Sequence, residues 1–64
     1  MTLSEFYCLN ARRIDGQEEY DVVLGSRKDE FDYVDYLFAP YSDIHLYRNK
    51  QTGEYVYTEF NIGD

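Results

Sequence analysis

At 64 residues and 7.7 kDa the chain reads as one small domain with little area to bury. Thirteen acids against six bases give −7 at pH 7 and a pI near 4.4, which argues against a direct binder of nucleic acid or anionic membrane, whose footprint is basic. Eight Tyr and four Phe within a 44% hydrophobic share argue against wholesale disorder. One cysteine, Cys8, allows no internal disulfide and points to an intracellular, reducing setting. Met1-Thr2-Leu3-Ser4-Glu5 has neither the basic nor the apolar region of a signal peptide. The longest apolar runs, such as Tyr36-Leu37-Phe38-Ala39, fall far short of the ~20 residues of a membrane span.

Taken in chain order, residues 5–14 and 17–25 are predicted to form a hairpin around Asp15-Gly16, a dipeptide suited to a type I′ turn. Counting from that turn sets Arg13 opposite Glu18 and Arg12 opposite Glu19, with Ala11, Leu9 and Tyr7 facing Tyr20, Val22 and Leu24. Ser26 followed by Asp29 fits a helix cap, and Phe31, Val34, Leu37 and Phe38 recur at helical spacing before Pro40, which predicts a helix over 27–39. A second hairpin is predicted over 43–48 and 54–62, with a five-residue loop, Asn49 to Gly53, and Arg48 opposite Glu54. That register puts Ile44, Leu46 and Val56 on one face and His45, Tyr47, Tyr55 and Tyr57 on the other. The fold class is therefore α+β, in the order ββαββ, an antiparallel sheet of two hairpins with one helix on a face. The predicted core is Tyr7, Leu9, Ala11, Val22, Leu24, Phe31, Val34, Leu37, Phe38, Ile44, Leu46, Val56, Phe60 and Ile62.

No constellation of catalytic residues emerges. Cys8 and His45 are the one nucleophile–base pair of their kind, and Cys8 reads as a structural thiol among apolar neighbours. No zinc spacing, calcium loop or phosphate-cradling glycine loop is present, so no metal and no cofactor is expected. Charge, by contrast, is uneven: residues 29–64 carry −6 of the net −7. On the predicted helix Asp29, Asp32 and Asp35 share one side, with Glu30 near that row and Tyr33 and Tyr36 along its border. Their rise of ~4.5 Å per three residues approaches the ~3.4 Å phosphate repeat of a DNA strand. Tyr47, Tyr55 and Tyr57 with Glu59 supply a second candidate contact surface, since tyrosine brings large contact area at low entropy cost.

In size, acidity and aromatic content the chain resembles the small inhibitors that phages make against host nucleases and CRISPR systems. The resemblance implies direct binding to a protein with a basic nucleic-acid groove and occlusion of its DNA site by a DNA-mimicking acidic surface. The alternative is a self-associating structural or regulatory subunit, a possible homodimer, with a tyrosine seam and acids that only confer solubility.

Overall fold

The sequence Thr2-Leu3-Ser4-Glu5 opens a helix. In the computed structural model, which describes residues 1–61, the Thr2 hydroxyl accepts the Glu5 N–H at 3.1 Å and the Glu5 carboxylate accepts the Thr2 N–H at 2.7 Å. This reciprocal capping box starts α1, Leu3–Cys8. Leu3, Phe6 and Leu9, three apart, turn one apolar stripe toward the sheet. The helix stops at Asn10, whose φ of +54° is the left-handed conformation that asparagine tolerates after a helix end.

The chain next lays down a two-residue strand, β1 (Arg12–Arg13), and enters α2, Gly16–Val23. Gly16 does adopt positive φ, +59°, but the turn leads into a helix instead of back along β1. Asp15 caps the helix by position, its carbonyl accepting the Glu19 N–H at 3.3 Å. Glu18 and Glu19 fall in the first turn, where the helix dipole favours negative charge. Arg12 clamps this start: its guanidinium forks onto Glu18 at 2.9 and 2.8 Å and reaches Glu54 at 3.2 Å. That fork holds the Glu18 carboxyl below the usual carboxylate range.

A 3₁₀ turn, Lys28–Glu30, leads into three antiparallel strands: β2 (Phe31–Ala39), β3 (Ser42–Asn49) and β4 (Tyr55–Asn61). The sheet order is β1-β4-β3-β2, with β1 parallel to β4. Pro40 and Tyr41 turn β2 into β3. Proline at the first central position and positive φ at the second, +68° for Tyr41, is the pattern of a type II turn.

Several expectations are corrected. The order is α1-β1-α2-β2-β3-β4 with a mixed sheet, not ββαββ with an antiparallel one. The 5–14/17–25 hairpin is two helices flanking a short strand: the capping box of Thr2 and Glu5 starts a helix where the first strand was expected, and Gln17-Glu18-Glu19 are better helix formers than strand formers. The 27–39 helix is the 3₁₀ turn and β2. There a β-bulge at Val34 inserts one extra residue between Tyr33, opposite Tyr47, and Asp35, opposite Leu46. Residues on either side of the bulge that share a face are then three apart, which imitates a helical spacing. The C-terminal hairpin forms, but Asn49 donates to the Glu54 carbonyl at 2.8 Å, so the loop is four residues, Lys50 to Gly53. Arg48 pairs with Tyr55 instead of Glu54, and this one-residue slip sends Tyr55 and Tyr57 to the face opposite Tyr47 and His45.

The two sheet faces carry separate cores. On the first, α1 seats Phe6 against Leu37, Ala39, Ile44 and Leu46, with Tyr55 and Tyr57 half-buried at its side. Phe6 meets the Tyr57 ring edge-on at 5.0 Å. On the second, α2 brings Val22 onto Ile14, Phe31 and Val56, with Tyr47 at the edge. Phe6 and Ile14 were absent from the predicted core. Tyr7, Leu24, Val34, Phe38 and Phe60 are exposed, contrary to expectation, and Ile62 lies outside the described residues. Cys8 is exposed on α1 and not packed in a strand.

Candidate interaction surface

The face that α2 packs on is longer than α2. Strand alternation and register assign to it Tyr33, Tyr36 and Phe38 of β2, Asp43, His45 and Tyr47 of β3, and Val56, Thr58 and Phe60 of β4. The eight-residue helix covers the Val56 end. Toward the β2–β3 turn no described helix covers the strands, and Tyr33 (54% exposed), Tyr36 (46%), Phe38 (66%) and Phe60 (70%) remain accessible. The bulge makes this surface continuous along β2: without the extra residue at Val34, Tyr33 and Tyr36 would point to opposite sides.

His45 holds the rings together. Its ring lies 5.8 Å from that of Tyr33 and 5.2 Å from that of Tyr36, and its Nδ1 shares a 2.9 Å hydrogen bond with the Tyr33 hydroxyl. Tyr33 also packs edge-on against Tyr47 at 5.3 Å. The Tyr36 hydroxyl donates to the Asp43 carboxylate. That hydrogen bond raises the Tyr36 phenol above its ordinary value of 10, and burial raises those of Tyr33 and Tyr47. All three phenols are therefore neutral near pH 7 and present both a ring and a hydroxyl dipole. Two open grooves run alongside α2. One, of about 370 Å³, is bounded by Val22, Lys28, Phe31, Tyr33, Tyr47 and Lys50. The other, of about 420 Å³, is bounded by Glu19, Val23, Asp43, His45, Thr58 and Phe60 together with Tyr47.

Of the residues singled out from the sequence, Tyr33, Tyr36 and Tyr47 come together here. Tyr55 and Tyr57 do not; they flank Phe6 beneath α1. Glu59 lies on that same far face, 3.7 Å from Arg13, and accepts the Ser42 hydroxyl at 3.0 Å. Asp29 and Glu30 sit in the 3₁₀ turn, Glu30 paired with Arg27 at 3.3 Å. Asp32 and Asp35 do share a strand face, across the bulge, but Asp32 lies 3.8 Å from Lys50 and Asp35 3.0 Å from the Met1 ammonium. The ammonium bond lowers the Asp35 carboxyl. The acids thus form no continuous row, because the helix that would have aligned them is a strand.

Sequence reasoning missed Phe38 and Phe60, assigned to the core, and Asp43. The alternation Tyr36-x-Phe38 opposite Asp43-x-His45 carries that signal once the segment is read as a strand. Cys8 and His45 stand on opposite sides of the sheet. Among the described residues no group of three His, Cys, Asp or Glu side chains is placed to hold a metal ion. Nor is any described helix long and apolar enough to cross a membrane. No family model, no curated protein and no solved structure matches the chain.

Proposed function

We propose that the chain is a non-catalytic protein-binding module of the inhibitor or adaptor type, docking its bare aromatic half-face on a partner with a basic surface. The carrying observation is the continuous exposure of Tyr33, Tyr36, Phe38 and Phe60 on a sheet face whose other end is core. Burying one such ring stabilises by about 1.5–3 kcal/mol, so four exposed together represent an unused driving force for association. Sign of charge selects the partner. The chain carries −7, and Glu19 and Asp43 at the margin of the face have no basic group within 4 Å among the described residues. Association with a basic surface is then steered and weakened by salt. Proteins that handle nucleic acid are the class with such surfaces, which keeps a phage-type inhibitor of a CRISPR effector, restriction or repair nuclease within the proposal. The contact is aromatic with a carboxylate margin, not a phosphate-mimicking helix.

The test is capture from nuclease-treated bacterial lysate with salt elution, comparing the native chain with a Phe38→Ser, Phe60→Ser double variant. Both rings are exposed and neither belongs to a buried cluster, so the variant should keep the fold, checked by its circular dichroism. The proposal expects a protein that the native chain retains, that DNA displaces and that the variant releases. Equal retention by both chains overturns it. Retention of nothing but further copies of the chain would instead support the self-associating subunit.

A further inference from the structure

We infer that the groove between α2 and the aromatic half-face is a receptor for a single arginine side chain of the partner protein. This rests on the docking reading above and names its anchoring contact. The argument starts from an arginine the chain already holds. Arg27 lies over the Phe31 ring, 5.3 Å from its centroid, between Glu30 at 3.3 Å and Glu18 at 3.8 Å. A ring for the flat face of the guanidinium and two carboxylates for its edge is the environment this cation prefers. The groove of about 420 Å³ is bordered by the same kinds of group without an arginine: Tyr47, His45 and Phe60 supply rings, and Glu19 and Asp43 supply carboxylates, the Asp43 carboxylate also accepting the Tyr36 hydroxyl.

A third polar group points the same way. Thr58 is 8% exposed and borders the groove, and among the described residues its hydroxyl has no hydrogen-bond partner. No described side-chain oxygen is both sealed from solvent and unpartnered, so the Thr58 hydroxyl keeps contact with solvent. A hydroxyl in contact with solvent can exchange its water for a ligand N–H. Guanidinium fits better than ammonium. It is planar, stacks on rings, presents five donors in a fixed fork and is weakly hydrated, whereas the lysine ammonium is a compact and strongly hydrated charge. The several donors of guanidinium suit a groove bordered by two carboxylates and a hydroxyl.

The experiment titrates the isotope-labelled chain with N-acetyl-arginine amide and follows amide chemical shifts, with the lysine amide and the uncharged citrulline amide as controls. The expected result is saturation on the order of ~1 mM, confined to Glu19, Val23, Thr58 and Phe60. The lysine amide should bind at least threefold more weakly, and the citrulline amide should not saturate. Glu19→Gln with Asp43→Asn should abolish saturation, and Thr58→Val, which keeps strand shape, should weaken it about threefold. Shifts spread over every acidic residue, equal response to citrulline, or unchanged saturation in the double variant would each overturn the inference. The two proposals fail separately. If capture depends on Phe38 and Phe60 but the amide does not saturate, the face binds without an arginine anchor and this inference falls. If the amide saturates but a Phe38→Ser variant, whose groove lining is intact, is captured like the native chain, the groove stands and the docking reading falls.

Discussion

The two faces of one sheet end differently. On the α1 face, Leu46 and Ile44 are sealed under a helix of only six residues, because Phe6 supplies a large ring at the centre and Leu3 and Leu9 extend the stripe at both ends. On the opposite face, α2 has eight residues but only Val22 is buried, and its cover stops short of Tyr33, Tyr36, Phe38 and Phe60. Helix length therefore does not decide coverage; the size and spacing of the residues it turns inward do. Charge follows the same division. Asp32, Asp35 and Glu59, all on the α1 face, have cationic partners, whereas Asp43 on the open face accepts a tyrosine hydroxyl. One face is spent on stability, and half of the other is left for a partner.

The contrast is sharpest in mutation. Leu46→Ala, at a residue with no exposure, should cost about 2–5 kcal/mol in urea unfolding, comparable with all the stability such a small core supplies. Phe38→Ser should stay within about 0.5 kcal/mol of the native chain although it removes a larger side chain. Equal losses would break the comparison, because Phe38 would then be core. Next in size is the anchor of the covered face. Thr2→Ala removes half of the capping box and should cost about 1 kcal/mol, read as faster amide exchange across Leu3–Cys8 with the strands little changed. Exchange that rises equally in both helices would show that α1 does not act as a separate cover. A smaller effect of opposite sign is expected at the turn beside the open face. Tyr41→Gly relieves a positive φ that a bulky residue tolerates poorly, and should stabilise by roughly 0.5 kcal/mol, raising the urea midpoint.

The smallest effect is alkaline. Tyr33, Tyr36 and Tyr47 have raised phenol values in the folded chain. Their neutral forms therefore contribute stability that is whole below about pH 10 and is lost as pH climbs through the raised values. Ultraviolet titration should show part of the phenol absorbance appearing above pH 10 and returning to the ordinary range in urea. A titration that is the same folded and unfolded would remove the ring cluster from the account.

How much of this was legible in the sequence varies along the chain. The second hairpin was, because Ile44, Leu46 and Val56 alternate plainly with polar and tyrosine positions; its register was not, since Asn49 can either begin the loop or close it. The acidic residues and tyrosines of β2 were recognised as a group, but the bulge at Val34 turned a strand period into a helical one, and no residue in Tyr33-Val34-Asp35 announces a bulge. Asp15-Gly16 serves a hairpin or a helix start equally well; Gln17, Glu18 and Glu19 favour the helix, and the contacts of Arg12 with Glu18 and of Ile14 with Val56 and Val22 fix it in place. Thr2 and Glu5 stand at capping-box spacing, but Tyr7, Leu9 and Ala11 alternate in a way that also suits a strand. Of the candidate surface, Tyr33, Tyr36 and Tyr47 were found; Phe38 and Phe60 were hidden because an apolar residue is assigned to a core by default, and only the reach of α2 shows otherwise.

The measurement that bears most directly on the central claim is hydroxyl-radical footprinting of the chain alone and with the captured partner. Tyr33, Tyr36, Phe38 and Phe60 should react readily in the free chain at low concentration, as should Tyr7 and Tyr20 on the helices, while Phe6 and Phe31 are shielded. On binding, the four sheet residues should lose reactivity together, and Tyr7 and Tyr20 should keep theirs. Protection of Tyr7 and Tyr20 with the sheet residues still reactive would contradict the account and move the binding surface to the helices.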